Sequence, residues 1–400
     1  MSEIAYDADY PLCKTKFDVP IEEILLLNQE QREHFLLQVL TAFASEIDKN
    51  TMALKRNTRF NKEMQDARKV LRLPADSYLF TDEASYKRNV LGKGSPGATH
   101  TYWSRKYMWR MATQQGDLPN LIRCHDARLV RRLLQVLDPS NDAKAIFRKD
   151  GQSVILTLLS YLQMDYGVGA AFPPFHAKFL ADNFLPKRGR CLIVDPCAGW
   201  GGRLFGSLCV DRVSPVKYIG IDPEKRNREA YEGLVRRLNI YMKKELRGRR
   251  TAQFFYRPFE DWIQSKGAQK LFGKVDLVMT SPPYFSAEQY NTGNQNQSAS
   301  RYQTYADWRE NFYRVLVEGA YNLLKSGGVF VLNIADVASA ETLERDARIL
   351  AREVGFENAG FYKLAMSRVP GTHGRSRHEV LVNGKYFKYE PVFCFKKLPD

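Results

Sequence analysis

The sequence predicts an α/β protein in which a doubly wound, mostly parallel sheet follows a mostly α-helical N-terminal region. From about residue 166, apolar runs of strand length alternate with segments of helical spacing, which is typical of parallel sheets. Two of these runs, 191–194 and 275–279, pass directly into loops rich in glycine or proline. Because ligands bind beyond the carboxyl ends of strands in open α/β sheets, these two loops are predicted to share one site.

The elements can be assigned in chain order. Two helices are predicted within 20–50, and a loop rich in Gly, Ser and Thr within 89–101. Since the last two candidate strands are joined by a loop, one of them is predicted to be antiparallel. Further helices are expected at 102–112, 126–137 and 151–164, and strands at 190–194, 217–221, 252–256, 275–279, 328–334, 358–364 and 388–396.

Composition narrows the class of protein. The net charge of +15 favours an anionic partner such as nucleic acid. The charge is uneven: residues 1–50 carry −6, residues 51–165 carry +9 and residues 166–400 carry +12. The six cysteines form no C-x-x-C pair, and no Cys/His cluster has ligand spacing, so reduced thiols and no metal are expected. Without a signal pattern or an apolar run of membrane length, the expected location is the cytoplasm.

The first loop, residues 195–203, reads DPCAGWGGR and follows the run 191–194. Asp195 at the strand end is suited to hold a cofactor's ammonium group, directly or through water. The glycine turn 198–202 lets the backbone approach a cofactor closely. Such turns also serve dinucleotides and phosphates, so the turn alone does not choose between them.

Two acidic positions follow the next strands. Asp222 ends the second strand and is suited to bind ribose hydroxyls, although an Asp there also caps helices. Segment 259–261, Phe-Glu-Asp, follows the third strand and offers a ring and two carboxylates to an adenine and its amine. An ordinary first turn of a helix explains that segment nearly as well.

The second loop, residues 281–284, reads Ser-Pro-Pro-Tyr. An exocyclic amine of a base is a poor nucleophile because its lone pair is delocalised into the ring. A hydroxyl and a backbone carbonyl that accept both amine hydrogens direct this lone pair toward a methyl donor. The prolines fix φ and remove competing N–H donors, and the tyrosine ring is suited to stack on an extruded base.

The order of these motifs resembles that of DNA amino-methyltransferases that use S-adenosylmethionine, and is most similar to a phage-encoded group. The resemblance covers roughly residues 166–400 and includes Phe172–Lys178 before the glycine turn. It also includes Arg301-Tyr302…Trp308 and the segment 388–393, KYEPVF. The resemblance implies a Rossmann-like class I methyltransferase domain at 166–400 and, for a phage protein, the bacterial host cytoplasm.

The resemblance also assigns residues to roles. The cofactor residues implied are Phe172, Lys178, Asp195, Cys197, Gly199, Gly201, Asp222, Phe259, Glu260 and Asp261. The residues implied to hold the target amine are Ser281, Pro282, Pro283 and Tyr284. Serine at the start of this loop favours N4 of cytosine slightly over N6 of adenine, because Asp or Asn is the commoner adenine pattern.

No gap between the motifs holds a full specificity domain, so other parts of the chain are expected to read DNA. The basic helical region 1–165 is one candidate, and its acidic residues 1–50 suit a protein partner. The loops 286–304 and 366–388 are others, although both also fit solvated loops. Aromatic and basic residues interleave at 102–110, which fits DNA contact or an amphipathic core helix. The candidate nucleic-acid residues of the two loops are Tyr290, Arg301, Tyr302, Arg368, Arg375 and Arg377.

The predicted function is therefore methylation of an exocyclic amine in DNA, site-specific or relaxed, with S-adenosylmethionine as cofactor. One alternative is an RNA base methyltransferase, which would need an RNA-binding module in the N-terminal region. Another is a catalytically idle nucleic-acid-binding subunit that keeps the fold.

Overall fold

The computed structural model describes residues 17, 19–48, 70, 72, 89–91, 112–113, 116–148, 150–165, 172–211, 214–241, 250–290, 294–337, 339–340, 342–368, 378–382 and 384–399. The chain divides into two compact units. The first comprises Met1–Phe60, Tyr102–Ala170 and Glu288–Gly293, and the second comprises Asn61–Thr101, Ala171–Ala287 and Asn294–Asp400.

The described elements are numbered in chain order. The helices are α1 (Ile21–Leu25), α2 (Gln29–Asp48), α3 (Leu118–Arg123), α4 (Ala127–Leu137), α5 (Val154–Asp165), α6 (Pro174–Phe184), α7 (Gly202–Leu208), α8 (Arg228–Tyr241), α9 (Phe259–Ile263), α10 (Lys266–Gln269), α11 (Ser298–Arg301), α12 (Tyr305–Trp308), α13 (Val315–Leu323) and α14 (Leu343–Val354). The strands are β1 (Val90–Leu91), β2 (Ala112–Thr113), β3 (Gly116–Asp117), β4 (Cys191–Asp195), β5 (Val216–Ile221), β6 (Arg250–Phe255), β7 (Val275–Thr280), β8 (Glu288–Gln289), β9 (Leu324–Asn333), β10 (Phe356–Arg368), β11 (Glu379–Val382) and β12 (Lys385–Lys397). Short 3-10 turns cover Asp142–Phe147 and Lys225–Asn227, and a π-helical turn, Arg309–Arg314, joins α12 to α13.

The first unit is mostly helical in its described part, as predicted. One face of α2 is buried at Leu36, Val39, Leu40 and Phe43, which follow the helical repeat. Asp126 caps α4 by accepting from the backbone N–H groups of the helix's first turn. The short strands β3, β2 and β8 form an antiparallel sheet in this unit.

The second unit contains the predicted doubly wound, Rossmann-like sheet. Its strand order is β1-β10-β12-β9-β7-β4-β5-β6, with β11 paired to β12. Strands β4, β5, β6, β7 and β9 run parallel, and β12 is antiparallel to both β9 and β10. The antiparallel strand predicted near the C-terminus is thus confirmed. Strand β7 is buried at every position, which is why its sequence is a nearly continuous apolar run.

The predicted loop at 89–101 is partly wrong, because Val90 and Leu91 form β1 and pair in parallel with Lys363 and Leu364 of β10. The rest of that segment, and the interleaved segment 102–110, lie outside the described residues. Segment 61–101 belongs to the second unit, so a fragment that begins near residue 163 would lose an edge strand of the sheet.

No helix in the described ranges is both long and apolar enough to cross a bilayer. Those ranges also contain no group of three His, Cys, Asp or Glu side chains arranged to hold a metal ion.

Helix α7, which follows the glycine turn, packs unusually close to α6. A Cβ atom on Gly202 would lie 1.9 Å from the carbonyl oxygen of Phe172, and one on Gly206 would lie 2.1 Å from that of Pro174. These obstacles are backbone atoms and cannot turn away. The repeat of glycine four residues apart therefore lets the segment before β4 rest directly on α7.

We expect Gly206→Ala to lower the free energy of unfolding by about 1–3 kcal/mol, because the added methyl group overpacks a backbone contact. Gly267→Ala on α10 is the matched control: the nearest atom to its added Cβ would be Ser265 Oγ at 3.8 Å. That control should be neutral or slightly stabilising. Urea denaturation of both variants measures the difference, and equal effects would refute the close contact.

Candidate active site

The candidate site lies at the carboxyl edge of the sheet. Parallel strands β4, β5, β6 and β7 end there at Asp195, Ile221, Phe255 and Thr280. The glycine turn, Asp222, segment 259–261 and the Ser-Pro-Pro-Tyr loop all leave the sheet at this edge. The sheet thus brings the sequence-predicted motifs together.

Asp195 is fully buried and forms an ion pair with Arg203 of α7. The Nε atom of Arg203 lies 2.8 Å from Oδ2 of Asp195, and the Tyr218 hydroxyl donates to the same oxygen at 2.7 Å. Arg203 also donates to the carbonyl oxygen of Cys197, so the guanidinium group holds the turn that Asp195 begins. The carboxylate raises the pKa of Arg203 despite its burial, and the cation stays charged. Asp195 therefore fixes the shape of the turn from beneath it.

The turn itself is clamped from neighbouring strands. Gly199 has φ +58° and its N–H donates to Oδ2 of Asp222 at 2.8 Å. Its carbonyl oxygen accepts from Asn227 Nδ2 at 3.1 Å and from the hydroxyl of Tyr231. The N–H of Cys197 donates to Oγ1 of Thr280 at 3.1 Å, which joins the turn to the last residue before Ser281.

Asp222 is a titratable group at this edge. Burial raises the pKa of its carboxyl to about 7, although the N–H groups of Glu224 and Gly199 favour the ionised form. Glu224, which caps the next turn, pairs with Arg226 at 2.5 Å. Burial also raises the pKa of the Cys197 thiol, followed by the charges of Asp195 and Asp222. The thiol is therefore protonated and does not act as a nucleophile.

Segment 259–261 is arranged differently from the prediction for its ring. Phe259 is 2% exposed and packs in the core against Trp262, and a Cβ on Gly319 would lie 2.8 Å from it. Its side chain therefore faces the core and is not placed to meet a cofactor ring. Sequence alone could not show this, because the first turn of a short helix gives no repeat that marks its buried face.

Glu260 and Asp261 are joined to the segment that follows the polar loop. Arg301 pairs bidentately with Asp261, with both N–O distances 2.9 Å, and the Tyr302 hydroxyl donates to Oε1 of Glu260 at 3.0 Å. Oε2 of Glu260 is buried and accepts no hydrogen bond from the described residues. Burial raises the pKa of Glu260. An unoccupied buried acceptor at this edge fits an amine donor of a ligand.

Two residues that precede the turn are also buried. Lys178 of α6 is 1% exposed and pairs with Asp182 at 2.6 Å. This ion pair lies within α6. The ring of Phe172 lies 5.6 Å from the Arg203 guanidinium carbon and supports the same turn.

In the Ser-Pro-Pro-Tyr loop, Pro282 is buried, while Ser281, Pro283 and Tyr284 are half-buried. The Tyr284 hydroxyl lies 3.2 Å from Oε2 of Glu390 on β12 and donates to it. Burial raises the pKa of Glu390, and the Tyr284 hydrogen bond opposes this shift.

Of the candidate nucleic-acid residues, the structure describes the side chains of Tyr290, Arg301 and Tyr302. Arg301 and Tyr302 are bound to the carboxylates of Asp261 and Glu260, so the charge of Arg301 is paired within the protein. Tyr290 belongs to the first unit. Arg375, Arg377 and the side chain of Arg368 lie outside the described residues.

Several residues that shape the site were missed from the sequence: Arg203, Tyr218, Asn227, Tyr231 and Thr280. Arg203 was visible within the glycine motif, and its place in the first turn of α7 was the available signal. Tyr218 and Tyr231 gave no signal, because a buried Tyr in a strand or helix has the pattern of a core residue.

Residues 275–397 match a family model of the N6/N4 methyltransferase type, described as DNA methylase. The match begins with β7, includes the Ser-Pro-Pro-Tyr loop and ends with β12. It supports a DNA amino-methyltransferase family and a methyltransferase activity for the chain. S-adenosylmethionine is the cofactor of that family, which confirms the predicted cofactor. No curated protein matches the sequence.

Solved structures with a similar fold share little sequence with this chain. A SAM-dependent O-methyltransferase from Thermotoga maritima has 12% identity and covers 60% of this chain and 71% of its own, with a TM-score of 0.36. A SAM-dependent methyltransferase from Methanosarcina mazei has 11% identity, covers 58% and 100%, and has a TM-score of 0.35. A 1,6-didemethyltoxoflavin-N1-methyltransferase from Burkholderia thailandensis has 13% identity, covers 56% and 79%, and has a TM-score of 0.31.

Because Asp195 is buried in an ion pair, its removal should lower the stability of the fold. We expect Asp195→Ala to cost about 3–5 kcal/mol of folding free energy, because it leaves Arg203 buried without its partner. The double variant D195A/R203M removes both charges and should recover part of this loss. Glu232→Gln, which breaks the exposed pair with Arg228, is the control and should leave the thermal midpoint nearly unchanged. A wild-type midpoint for D195A would show that the ion pair does not hold the turn.

Proposed function

We propose that the protein methylates an exocyclic amine of a DNA base with S-adenosylmethionine as methyl donor. The observation that carries this proposal is the link between the two predicted loops. The hydrogen bond from the Cys197 N–H to Thr280 Oγ1 places the glycine turn beside the start of the Ser-Pro-Pro-Tyr loop. A methyl donor on one loop and an amine on the other would then be neighbours.

The cofactor side is assigned from the geometry of the turn. We assign Gly199 and Gly201 to close backbone approach, Asp222 to ribose hydroxyls and Glu260 to an amine of the adenine. When bound, S-adenosylmethionine supplies an electrophilic methyl group. Four residues beneath the glycine turn hold its surface in shape: Phe172, Lys178, Asp195 and Cys197. Asp261 acts by holding Arg301.

The amine side is assigned to the Ser-Pro-Pro-Tyr loop. The Ser281 hydroxyl makes no hydrogen bond to the described residues, which leaves it available to accept from an amine. The carbonyl of Pro282 is the second acceptor, and Pro282 and Pro283 lack N–H groups that would compete for it. Two acceptors on the amine hydrogens localise the nitrogen lone pair. After the nitrogen has taken the methyl group it carries a positive charge, and it releases one of these protons to solvent.

Tyr284 is assigned to stack on the extruded base. Its hydroxyl is tied to Glu390, so the ring has a fixed direction before the base arrives. A fixed ring needs no ordering when the base binds, which increases the share of the stacking energy that positions the amine.

The base is N4 of cytosine or N6 of adenine, with the serine favouring cytosine. We propose that the basic segment 51–165, whose residues 61–101 belong to the second unit and the rest to the first, contributes to DNA recognition. The acidic residues 1–50 suit a protein partner. The proposed location is the cytoplasm, of a bacterial host if the gene belongs to a phage.

The direct test is to express the protein in a bacterial host and sequence the DNA for N4-methylcytosine and N6-methyladenine. Ser281→Ala is the matched inactive control, since losing one of two acceptors typically slows the reaction about 10²–10³-fold. Methylated RNA with unmodified DNA would establish the RNA alternative. Cofactor binding without any methylated nucleic acid would establish the idle subunit.

Tyr284→Phe and Glu390→Gln should each slow methyl transfer about tenfold, because each removes or weakens one hydrogen bond to a charged acceptor. The double variant should be no slower than either single variant, since both remove the same contact. Tyr284→Ala should also lose the stacking of the ring on the base, about 1–3 kcal/mol. Tyr305→Phe is the control because its hydroxyl also binds a carboxylate, Asp346, at 2.6 Å. Additive single effects, or an equal loss in Y305F, would disprove the coupling.

Cofactor affinity should rise as the pH increases through about 7, the pKa of Asp222. Below that pH the carboxyl carries a proton that binding must displace, because only the ionised form accepts both ribose hydroxyls. The increase cannot exceed about tenfold per pH unit, since one proton is released. Calorimetry at several pH values measures the slope. Asp222→Asn should bind more weakly with a flat profile around pH 7, and an unchanged slope in that variant would assign the titration to another group.

A further inference from the structure

A cavity of about 520 Å³ lies outside the candidate site, on the face of the sheet that α14 covers. Its floor comes from the start of β10 and the end of β12. Phe356, Phe393 and Phe395 are nearly buried there, whereas Phe361 is partly exposed. The rim is formed by arginines of α14, which project beside this aromatic floor.

The arginines of the rim share one face of α14. Arg345, Arg348 and Arg352 occupy positions i, i+3 and i+7, so they follow each other over about 10 Å of helix axis. All three are exposed, and the guanidinium carbon of Arg348 lies 4.6 Å from the ring centre of Phe393. The helix therefore presents a row of cations above flat rings.

Several other arginines of the second unit are paired with carboxylates, whereas most of this row has no such partner in the described ranges. Arg203, Arg301 and Arg314 each bind a carboxylate at 2.9 Å or less. Within the described part of the chain, Arg348 and Arg352 form no ion pair, and no Asp or Glu lines the cavity. Arg345 has only a long contact of 3.5 Å to Asp346, with a side chain that is 68% exposed. Two of the three cations on the rim, Arg348 and Arg352, thus have no ion-pair partner among the described residues.

The chemistry of the cavity fits one class of ligand. Guanidinium groups pair with phosphates, and both aromatic rings and guanidinium planes stack on bases. The volume lies within the range that holds ligands of nucleotide size. An acidic peptide would satisfy the arginines but would leave the rings without a flat partner.

We propose that this cavity binds a single-stranded segment of nucleic acid, with phosphates on Arg348 and Arg352 and a base against Phe361. The inference rests on the proposed function only in that both take nucleic acid as the partner. It adds a contact surface on the side of the sheet, away from the loops that hold the target amine.

The experiment measures binding of a labelled single-stranded oligonucleotide to the full chain by fluorescence anisotropy. The double variant R348Q/R352Q should bind about tenfold more weakly, and its salt slope should be smaller by about 1.4, at about 0.7 per phosphate contact. Phe361→Leu should weaken binding without changing the slope, because it removes stacking and keeps the charge. The control K266Q/K270Q removes the same charge from two exposed lysines, one at the start of α10 and one just after its end, and should change neither quantity strongly.

Equal losses in R348Q/R352Q and K266Q/K270Q would overturn the proposal, because the effect would then be one of net charge. A second result would also overturn it, in favour of an acidic partner. In that result, poly-glutamate binds the wild-type protein, and R348Q/R352Q still binds the oligonucleotide as tightly as wild type does. Thermal midpoints and S-adenosylmethionine binding of each variant should match wild type. Because this experiment measures binding and not methylation, it tests the cavity proposal separately from the proposed function. Either one can be refuted while the other holds.

Discussion

The buried ion pair between Asp195 and Arg203 is the constraint on which the candidate site depends. It fastens the carboxyl end of β4 to the first turn of α7, and through the Cys197 carbonyl it also fixes the loop between them. Since both charges are out of water, neither can be removed alone without leaving an unpaired charge. The glycine turn is therefore shaped by groups below it, while its upper surface, with Asp222 at one side, is left for a ligand.

The sheet could be predicted from the sequence because buried parallel strands are continuous apolar runs, and 275–279 is such a run. The motifs at the strand ends could be placed at one edge for the same reason. The direction of a side chain in the first turn of a helix could not be predicted from the sequence, as the buried ring of Phe259 shows. The pairing of Arg301 with Asp261 could not be predicted either, because it joins residues forty positions apart through the course of a polar loop.

Charge pairing decides what the net charge of +15 can do. An arginine bound bidentately to a carboxylate, such as Arg301, contributes structure and has little left for a phosphate. Arg348 and Arg352 have no such partner in the described chain, so their charge remains available to an anion. Counting basic residues along a sequence cannot separate these two cases. A phosphate contact is better sought where the fold leaves guanidinium groups without carboxylates.

The antiparallel strand β12 ties the two ends of the matched region together. Its residue Glu390 reaches Tyr284, which lies more than one hundred positions earlier, and Asn333 at the end of β9 donates to the neighbouring Pro391 carbonyl. Because β12 pairs with β10 at Glu390 itself and with β9 from Val392 onward, the backbone at Glu390 has little freedom. A tyrosine on a loop thereby gains the rigidity of a strand in the centre of a sheet. The C-terminal strand thus fixes the direction of the Tyr284 side chain, and the Ser-Pro-Pro-Tyr loop alone does not account for that geometry.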